Sequence, residues 1–280
     1  MTPEDLDRRR RVAEEAARSA GAVHLRYRGA SLARDVHAGD RADYSTQADL
    51  EAQQTVRDVI ELHFPGERVV GEEDEVGWDQ LPTLMQAGCW LTDPLDGTLE
   101  FVHGNPNFSC VVSYVAGGEP QAGAVYFAVF DEMFSAAKGR GATLNGAPIH
   151  VSGVSRLDQA LFATPHRSTT PERIQDFTAR MAQLLPHVEA FRMLGAPSIM
   201  AAYVAAGRLD ITSFLSPRQE PVPGRPFQGQ PWETAAFVLL VQEAGGAVAR
   251  FGGGPPDLLT YNAYAACQAL IDQYFSVMAG

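Results

Sequence analysis

A chain of 280 residues can form one large domain or two intimately packed halves. Its hydrophobic content of 45% is ordinary for a globular protein, and no apolar run approaches the ~20 residues of a membrane helix, which argues against a membrane role. A formal net charge of −12 argues against nucleic-acid binding through a basic surface. It also means that handling an anionic substrate requires cations to offset repulsion, unless the acidity serves only solubility.

The segment from Met1 to Arg11 is charged and lacks the apolar core of a secretory signal, so a soluble cytoplasmic enzyme is expected. Residues 4–27 then read as an amphipathic helix, with Leu6, Val12, Ala13, Ala16, Ala17, Ala20 and Val23 at helical spacing. Arg8 to Arg11 is expected to be a solvated face of it. A second helix is predicted over 47–63, with Thr46 as N-cap, Asp49 in its first turn and Pro65-Gly66 beyond its end. A short strand, Arg68-Val69-Val70, runs into Gly71-Glu72-Glu73, and 74–88 reads as an irregular surface segment. Strands are predicted at 108–116, 122–130 and 132–137, with hairpin turns at Gly117-Gly118 and Asp131-Glu132. Gly139 to Pro148 reads as a glycine-rich turn, followed by a strand at Ile149-His150-Val151. The second half offers a strand at 161–164 and a helix from Pro171 to about Leu185. An apolar helix is predicted at 195–206, then a strand at 209–214. Residues 216–231 form a Pro-, Gly- and Gln-rich loop, and a helix at 232–244 is closed by Gly245-Gly246. Alternating blocks of strands and helices, with hairpins in the first half, indicate a layered α/β protein. Cys89, Cys110 and Cys267 lack any zinc or redox spacing and are expected to act as small buried hydrophobes.

The most informative stretch is Trp90-Leu91-Thr92-Asp93-Pro94-Leu95-Asp96-Gly97-Thr98. An apolar strand ends in two carboxylates separated by a proline turn, with a glycine and a hydroxyl just after. Divalent cations need clustered carboxylate oxygens, and proline fixes φ between the two acids. Gly97 lets backbone N–H groups approach an anion. An Asp-x-x-Asp pair alone is most often a solvated turn. Here Glu72 and Glu73 follow another strand, and Asp49 and Glu233 lie in helix first turns. Taken singly, those two helical acids are explained by the helix dipole.

Taken together and in order, these pieces resemble the inositol monophosphatase family. The resemblance rests on Gly71-Glu72-Glu73, Asp93-Pro94-Leu95-Asp96-Gly97-Thr98, and Trp232-Glu233-x-Ala-Ala ending in Glu243-Ala244-Gly245-Gly246. Ser45-Thr46-x-x-Asp49 and Lys138-Gly139-x-Gly141-Ala142-x-x-Asn145-Gly146 agree with it, so it covers about 40 to 250. It implies an αβαβα sandwich of the inositol monophosphatase and sugar phosphatase type. That sandwich would have an N-terminal half of about 1–153 carrying most metal ligands and a C-terminal half of about 154–280. It implies hydrolysis of a small phosphate monoester (inositol or cyclitol, sugar or nucleotide phosphate) with two or three Mg²⁺ ions. A homodimer and lithium sensitivity are implied as well, with no nucleic-acid or membrane partner expected. Glu72, Asp93 and the Leu95 carbonyl match ligands of a first metal; Asp93, Asp96 and the acid at 233 match a second. Asp49 and Thr98 match the pair that orients and deprotonates the attacking water, with Glu72 also able to take the proton. The Gly97 and Thr98 amides match a phosphate cradle, and Asp96, Gly195 and Ala196 match substrate contacts.

Several positions depart from the family pattern. Glu233 replaces an aspartate, which would shift the helix with chemistry intact, alter metal preference, or abolish activity. Phe214 stands where a substrate-contacting glutamate is usual, Gly195-Ala196-Pro197 lacks a hydroxyl, and Glu100 replaces asparagine. These changes argue against assuming myo-inositol phosphate as the substrate. The longer 216–231 loop carries Arg218, Glu220 and Arg225 and is expected either to lid the site with an arginine or to be a solvated insertion. His103 and His166 are expected to be structural. Two alternatives stay open: a non-catalytic or weakly active member binding a phosphorylated ligand, and a bisphosphate nucleotidase or sugar bisphosphatase.

Overall fold

Thr2 opens the first helix with a capping box: its side chain accepts from the Asp5 amide at 3.2 Å, and the Asp5 carboxylate accepts from the Thr2 amide at 3.2 Å. The computed structural model describes residues 1–36, 44–74, 76–165, 171–214 and 230–279. In chain order, the first part runs α1 (Pro3–Tyr27), β1 (Asp35–Val36), β2 (Tyr44–Ser45), α2 (Gln47–His63), β3 (Val69–Gly71), α3 (Leu81–Ala87), β4 (Cys89–Asp96) and α4 (Thr98–Val102). It continues through β5 (Ser109–Ala116), β6 (Glu119–Phe127), β7 (Glu132–Ala137), β8 (Ala142–Leu144) and β9 (Ala147–Ile149). The remainder is β10 (Leu161–Ala163), α5 (Pro171–Leu184), β11 (Ala190–Arg192), α6 (Pro197–Ala205), β12 (Ile211–Ser213), α7 (Pro231–Glu243), β13 (Ala247–Arg250), β14 (Asn262–Ala265) and α8 (Gln268–Ala279).

Two large sheets organise the described residues, beside the two-stranded β1-β2 pair. One has seven strands in the order β3-β4-β5-β6-β7-β8-β9, and the other has five in the order β11-β10-β12-β14-β13. Side chains alternate across the larger sheet. Cys110, Val112 and Tyr114 of β5, with Ala124 and Tyr126 of β6, meet the alanine stripe of α1 and Val56 and Ile60 of α2. Val111, Val115, Val125 and Phe127 face the other way, toward α6 and α7. The smaller sheet presents Ala163, Val248 and Tyr264 to that same middle core. It turns Phe162, Ile211, Ala263 and Ala265 toward Phe177 and Leu184 of α5 and Leu270, Ile271 and Tyr274 of α8. The layers therefore stack helix, sheet, helix, sheet, helix, the expected αβαβα sandwich. α7 is buried from Pro231 to Val241, as a helix apolar on every side must be when two sheets enclose it.

Four readings of the sequence need correction. The Arg8–Arg11 run is not simply solvated. The Arg9 guanidinium makes two 2.7 Å bonds to Glu67, which also accepts from the Trp90 indole at 2.7 Å, and it stacks 3.6 Å over Tyr114. Its long stem lets a charge at the start of α1 reach an aromatic box at the sheet. Residues 74–88 contain α3, whose Leu81 and Met85 are buried in the middle core. Residues 139–148 hold the β8–β9 hairpin, so the predicted strand at 149–151 ends at Ile149. β11 completes an edge where none was expected. Two of the three cysteines behave as read: Cys89 and Cys110 are buried, and burial pushes the Cys89 thiol up to about 11, whereas Cys267 is half-buried. Among the described residues, no helix is long and apolar enough to cross a membrane.

Candidate functional site

In a regular strand, residues three apart point to opposite faces. β4 breaks that rule. Asp93 pairs with Val111 and Asp96 with Ser109, so β4 carries one residue more than β5 over this interval. The bulge at Pro94-Leu95 reverses the alternation and turns both carboxylates toward one place. The Leu95 amide donates to Asp93 Oδ1 at 3.0 Å, and the Ser198 amide, at the start of α6, donates to Asp96 Oδ2 at 2.8 Å. Glu233, in the first turn of α7, completes a cluster: Asp93, Asp96 and Glu233 are all buried, and one oxygen from each lies within 4.8 Å of the others. Glu72 follows β3, held by its amide bond to the Thr92 carbonyl at 3.1 Å.

One stripe of α2 serves this cluster. Asp49, Gln53 and Arg57 recur every four residues and share a face. Asp49 Oδ2 accepts from the Thr46 amide at 2.8 Å and the Thr46 hydroxyl at 2.6 Å, while Oδ1 accepts from Thr98 Oγ1 at 2.9 Å. Asp49 is thus both helix cap and partner of the Thr98 hydroxyl. Gln53 accepts from the Glu73 amide at 3.2 Å and donates to Asp74 at 3.2 Å. Arg57 pairs with Asp74, which accepts from the Gly71 amide at 2.8 Å. A Cβ on Gly71 would lie 1.8 Å from the Gln53 amide oxygen, so a side chain there would push the Gln53 amide off its bonds to Glu73 and Asp74.

The electrostatics follow from the crowding. Burial pushes the Asp93 carboxyl well above the usual carboxylate range, and Glu72, Asp96 and Glu233 push it further. Burial also raises Asp49, against the hydrogen bonds from Thr46 and Thr98. The donor set consists of carboxylate oxygens beside the Leu95 carbonyl, and these hard ligands suit Mg²⁺ better than a soft metal. The raised Asp93 shows that massing these acids costs free energy, which a bound cation would offset.

Around the cluster, Gly97 has φ +89°, and a Cβ there would lie 2.8 Å from the Asn107 carbonyl and 3.0 Å from Ala196. Gly195 has φ +87°, and its missing Cβ leaves room for the Glu100 carboxylate. Gly195 and Ala196 thus lie against Glu100 and Gly97, beside the end of β4. Phe214 follows β12 and packs at a tilt against Tyr261, 4.6 Å between centroids. Arg218, Glu220, Arg225 and the lid they were assigned to lie outside the described residues, as does His166.

Among residues that sequence reasoning missed, His24 stands out. It is fully buried on α1, its Nε2–H donates to the Pro94 carbonyl at 2.8 Å, and burial pushes its pKa down to about 4. A polar residue four positions after Ala20 on the apolar stripe was the available signal. Trp78 was missed as well; it packs at a tilt against Trp232, 5.3 Å between centroids, beside Glu233.

A sequence profile of the inositol monophosphatase family matches residues 5–276. The chain belongs to this family. Among family relatives, it is 35% identical to the fructose-1,6-bisphosphatase/inositol-1-monophosphatase of Thermotoga maritima, over 79% of this chain and 76% of that one. It is also 35% identical to the Nus factor SuhB of Pseudomonas aeruginosa, over 86% of this chain and 85% of that one. The crystal structure of the extragenic suppressor protein suhB from Bartonella henselae superposes with a TM-score of 0.82 at 28% identity, covering 96% of this chain and 97% of that one. Family membership makes this chain a phosphoric monoester hydrolase of metal-dependent type.

Proposed function

We propose that the chain hydrolyses a small phosphate monoester, with Mg²⁺ held by Glu72, Asp93, the Leu95 carbonyl, Asp96 and Glu233. The observation that carries this reading is the buried Asp93–Asp96–Glu233 cluster beside the Asp49–Thr98 hydrogen bond. Bound Mg²⁺ would supply positive charge that draws in the phosphate dianion and stabilises attacking and leaving oxygens. The residues do the rest. The Thr98 hydroxyl lies 2.9 Å from Asp49 Oδ1 and 3.0 Å from the Leu95 carbonyl, with one proton to place. When Asp49 takes that proton, Thr98 Oγ1 can accept one from the attacking water. The raised Asp49 is a stronger base than an exposed carboxylate, which favours this transfer. The Gly97 and Thr98 amides would cradle the phosphate, and Asp96, Gly195, Ala196 and Phe214 would border the alcohol being released.

Two experiments test the reading. Purified protein should release phosphate from members of a panel of sugar, cyclitol and nucleotide mono- and bisphosphates in Mg²⁺, and from none in EDTA. Release unaffected by EDTA would refute the metal assignment. Thr98→Val should lower kcat by roughly 10²–10³-fold with little change in KM, because it removes a proton carrier rather than a binding contact. An unchanged kcat would remove Thr98 from the chemistry. A rival reading, a member that binds a phosphorylated ligand without turnover and acts through a protein partner, is favoured by the likeness to a Nus factor. Metal-dependent turnover separates the two.

A further inference from the structure

Two sequence motifs take no part in the chemistry above, and the fold brings them together. Lys138–Gly141 links β7 to β8, with φ +71° at Gly139 and +76° at Gly141. These angles turn consecutive amides inward as a nest for an anion. The anion is the carboxylate of Glu243, the last residue of α7. It accepts from the amides of Gly139 at 2.7 Å, Arg140 at 3.1 Å and Gly141 at 2.8 Å. Glu233 lies ten residues earlier on the same helix, roughly 15 Å along its axis. Between them, Ala235 to Val241 is entirely apolar and buried. Such packing is non-directional and sets chiefly which side of α7 faces each sheet. Three directional bonds at one end set where the helix stops along its length.

We propose that Glu243 is a positioning residue: its clasp on the Gly139–Gly141 nest fixes the axial register of α7 and so holds the Glu233 carboxylate at the Asp93–Asp96 pair. Glu72, Asp93 and Asp96 sit on or just after strands of the larger sheet, whereas Glu233 comes from a helix of the middle layer. A helix displaced along its axis by an ångström carries that oxygen out of ligand range, because metal geometry tolerates about half of that. The proposal rests on the metal reading given above.

The test measures Mn²⁺ binding directly, from the free-ion paramagnetic resonance signal, on the full chain without substrate. The wild type should bind Mn²⁺. Glu243→Gln, which places an amide N–H against the nest, should weaken the affinity on the order of tenfold while the fold persists by circular dichroism. Lys138→Met breaks the adjacent surface pair with Glu119, leaves the clasp intact, and should bind as the wild type does. Should Glu243→Gln fail to fold, Glu243→Asp replaces it; the shorter arm draws α7 toward the hairpin and changes the affinity as well. Glu233→Asp combined with a folded 243 variant should depart from the product of the single fold-changes by more than about threefold, although sites this far apart ordinarily act independently. A folded 243 variant with lowered Tm but wild-type Mn²⁺ affinity overturns the proposal and leaves Glu243 a merely structural contact. Multiplicative effects in the double variant overturn it too. No Mn²⁺ binding by the wild type overturns instead the metal reading beneath it.

Discussion

Asp93→Asn should abolish phosphate release and, in EDTA, make the protein harder to unfold. The two effects share one cause. Asp93 is 1% exposed and surrounded by Glu72, Asp96 and Glu233, so its folded pKa lies well above the 3.8 of an ordinary aspartate. The folded state therefore holds the Asp93 proton more tightly than the unfolded chain does. As pH rises above 3.8 the unfolded chain ionises first, and stability falls until the folded pKa is passed. At neutral pH without metal the wild type bears this cost, and the neutral amide does not. Relieving a buried charge in this way is worth about 2 kcal/mol, or about 3 °C in Tm for a chain of this size. Added Mg²⁺ should reverse the order, raising the wild-type Tm and scarcely moving the variant. The loss in kcat should be at least about 10³-fold. Thermal melts of both proteins in EDTA and in Mg²⁺ decide the matter: a destabilised metal-free variant would mean that Asp93 is held by contacts other than mutual repulsion with its neighbours.

The second large effect concerns acid. His24 falls from 6.5 to about 4 on folding because burial disfavours the imidazolium. The unfolded chain thus binds the extra proton first as pH drops. Stability contributed by the neutral ring is complete above 6.5 and lost progressively between 6.5 and 4. The full loss is about 3 kcal/mol, roughly two-thirds of it by pH 5. His24→Gln can still donate to the Pro94 carbonyl but cannot titrate. Urea unfolding of both proteins at pH 7, 6, 5 and 4.5 should show the wild type losing this much more than the variant, since the site carboxylates titrate in both. Parallel curves would show that His24 is already charged in the native state or that the site opens to water. Pro94 joins the two acids of the β4 turn, so the same acid limb should weaken metal binding.

Much of this was legible in the residues. The helical stripe of α1, the Thr46–Asp49 cap and the apolar run into Asp93 are local patterns, and local patterns are what a sequence displays. The convergence of Glu72, Asp93, Asp96 and Glu233 was accessible only through resemblance, because no spacing links residue 96 to residue 233. The β4 bulge was hidden, since one additional residue in a strand leaves no compositional mark. The sequence of 74–88 does not display α3, because its anchors Leu81 and Met85 are recognisable only once the middle core exists. The Arg9 box failed for a related reason: four consecutive arginines read as a solvated face until Glu67, Tyr114 and Trp90 are brought to one of them.

The origin of the acids along the chain has a consequence for its synthesis. Asp49, Glu72, Asp93 and Asp96 leave the ribosome early, together with the helices and strands that aim them. Glu233 emerges after a long interval, on a helix that must slide between two sheets to reach its place. Until then the newborn chain carries a concentration of like charge at the edge of a half-built core, without the acid proposed as its last ligand. Divalent ions in the surrounding fluid would neutralise that charge before catalysis is possible, so the ion proposed for the finished site would also act as a folding aid during its manufacture.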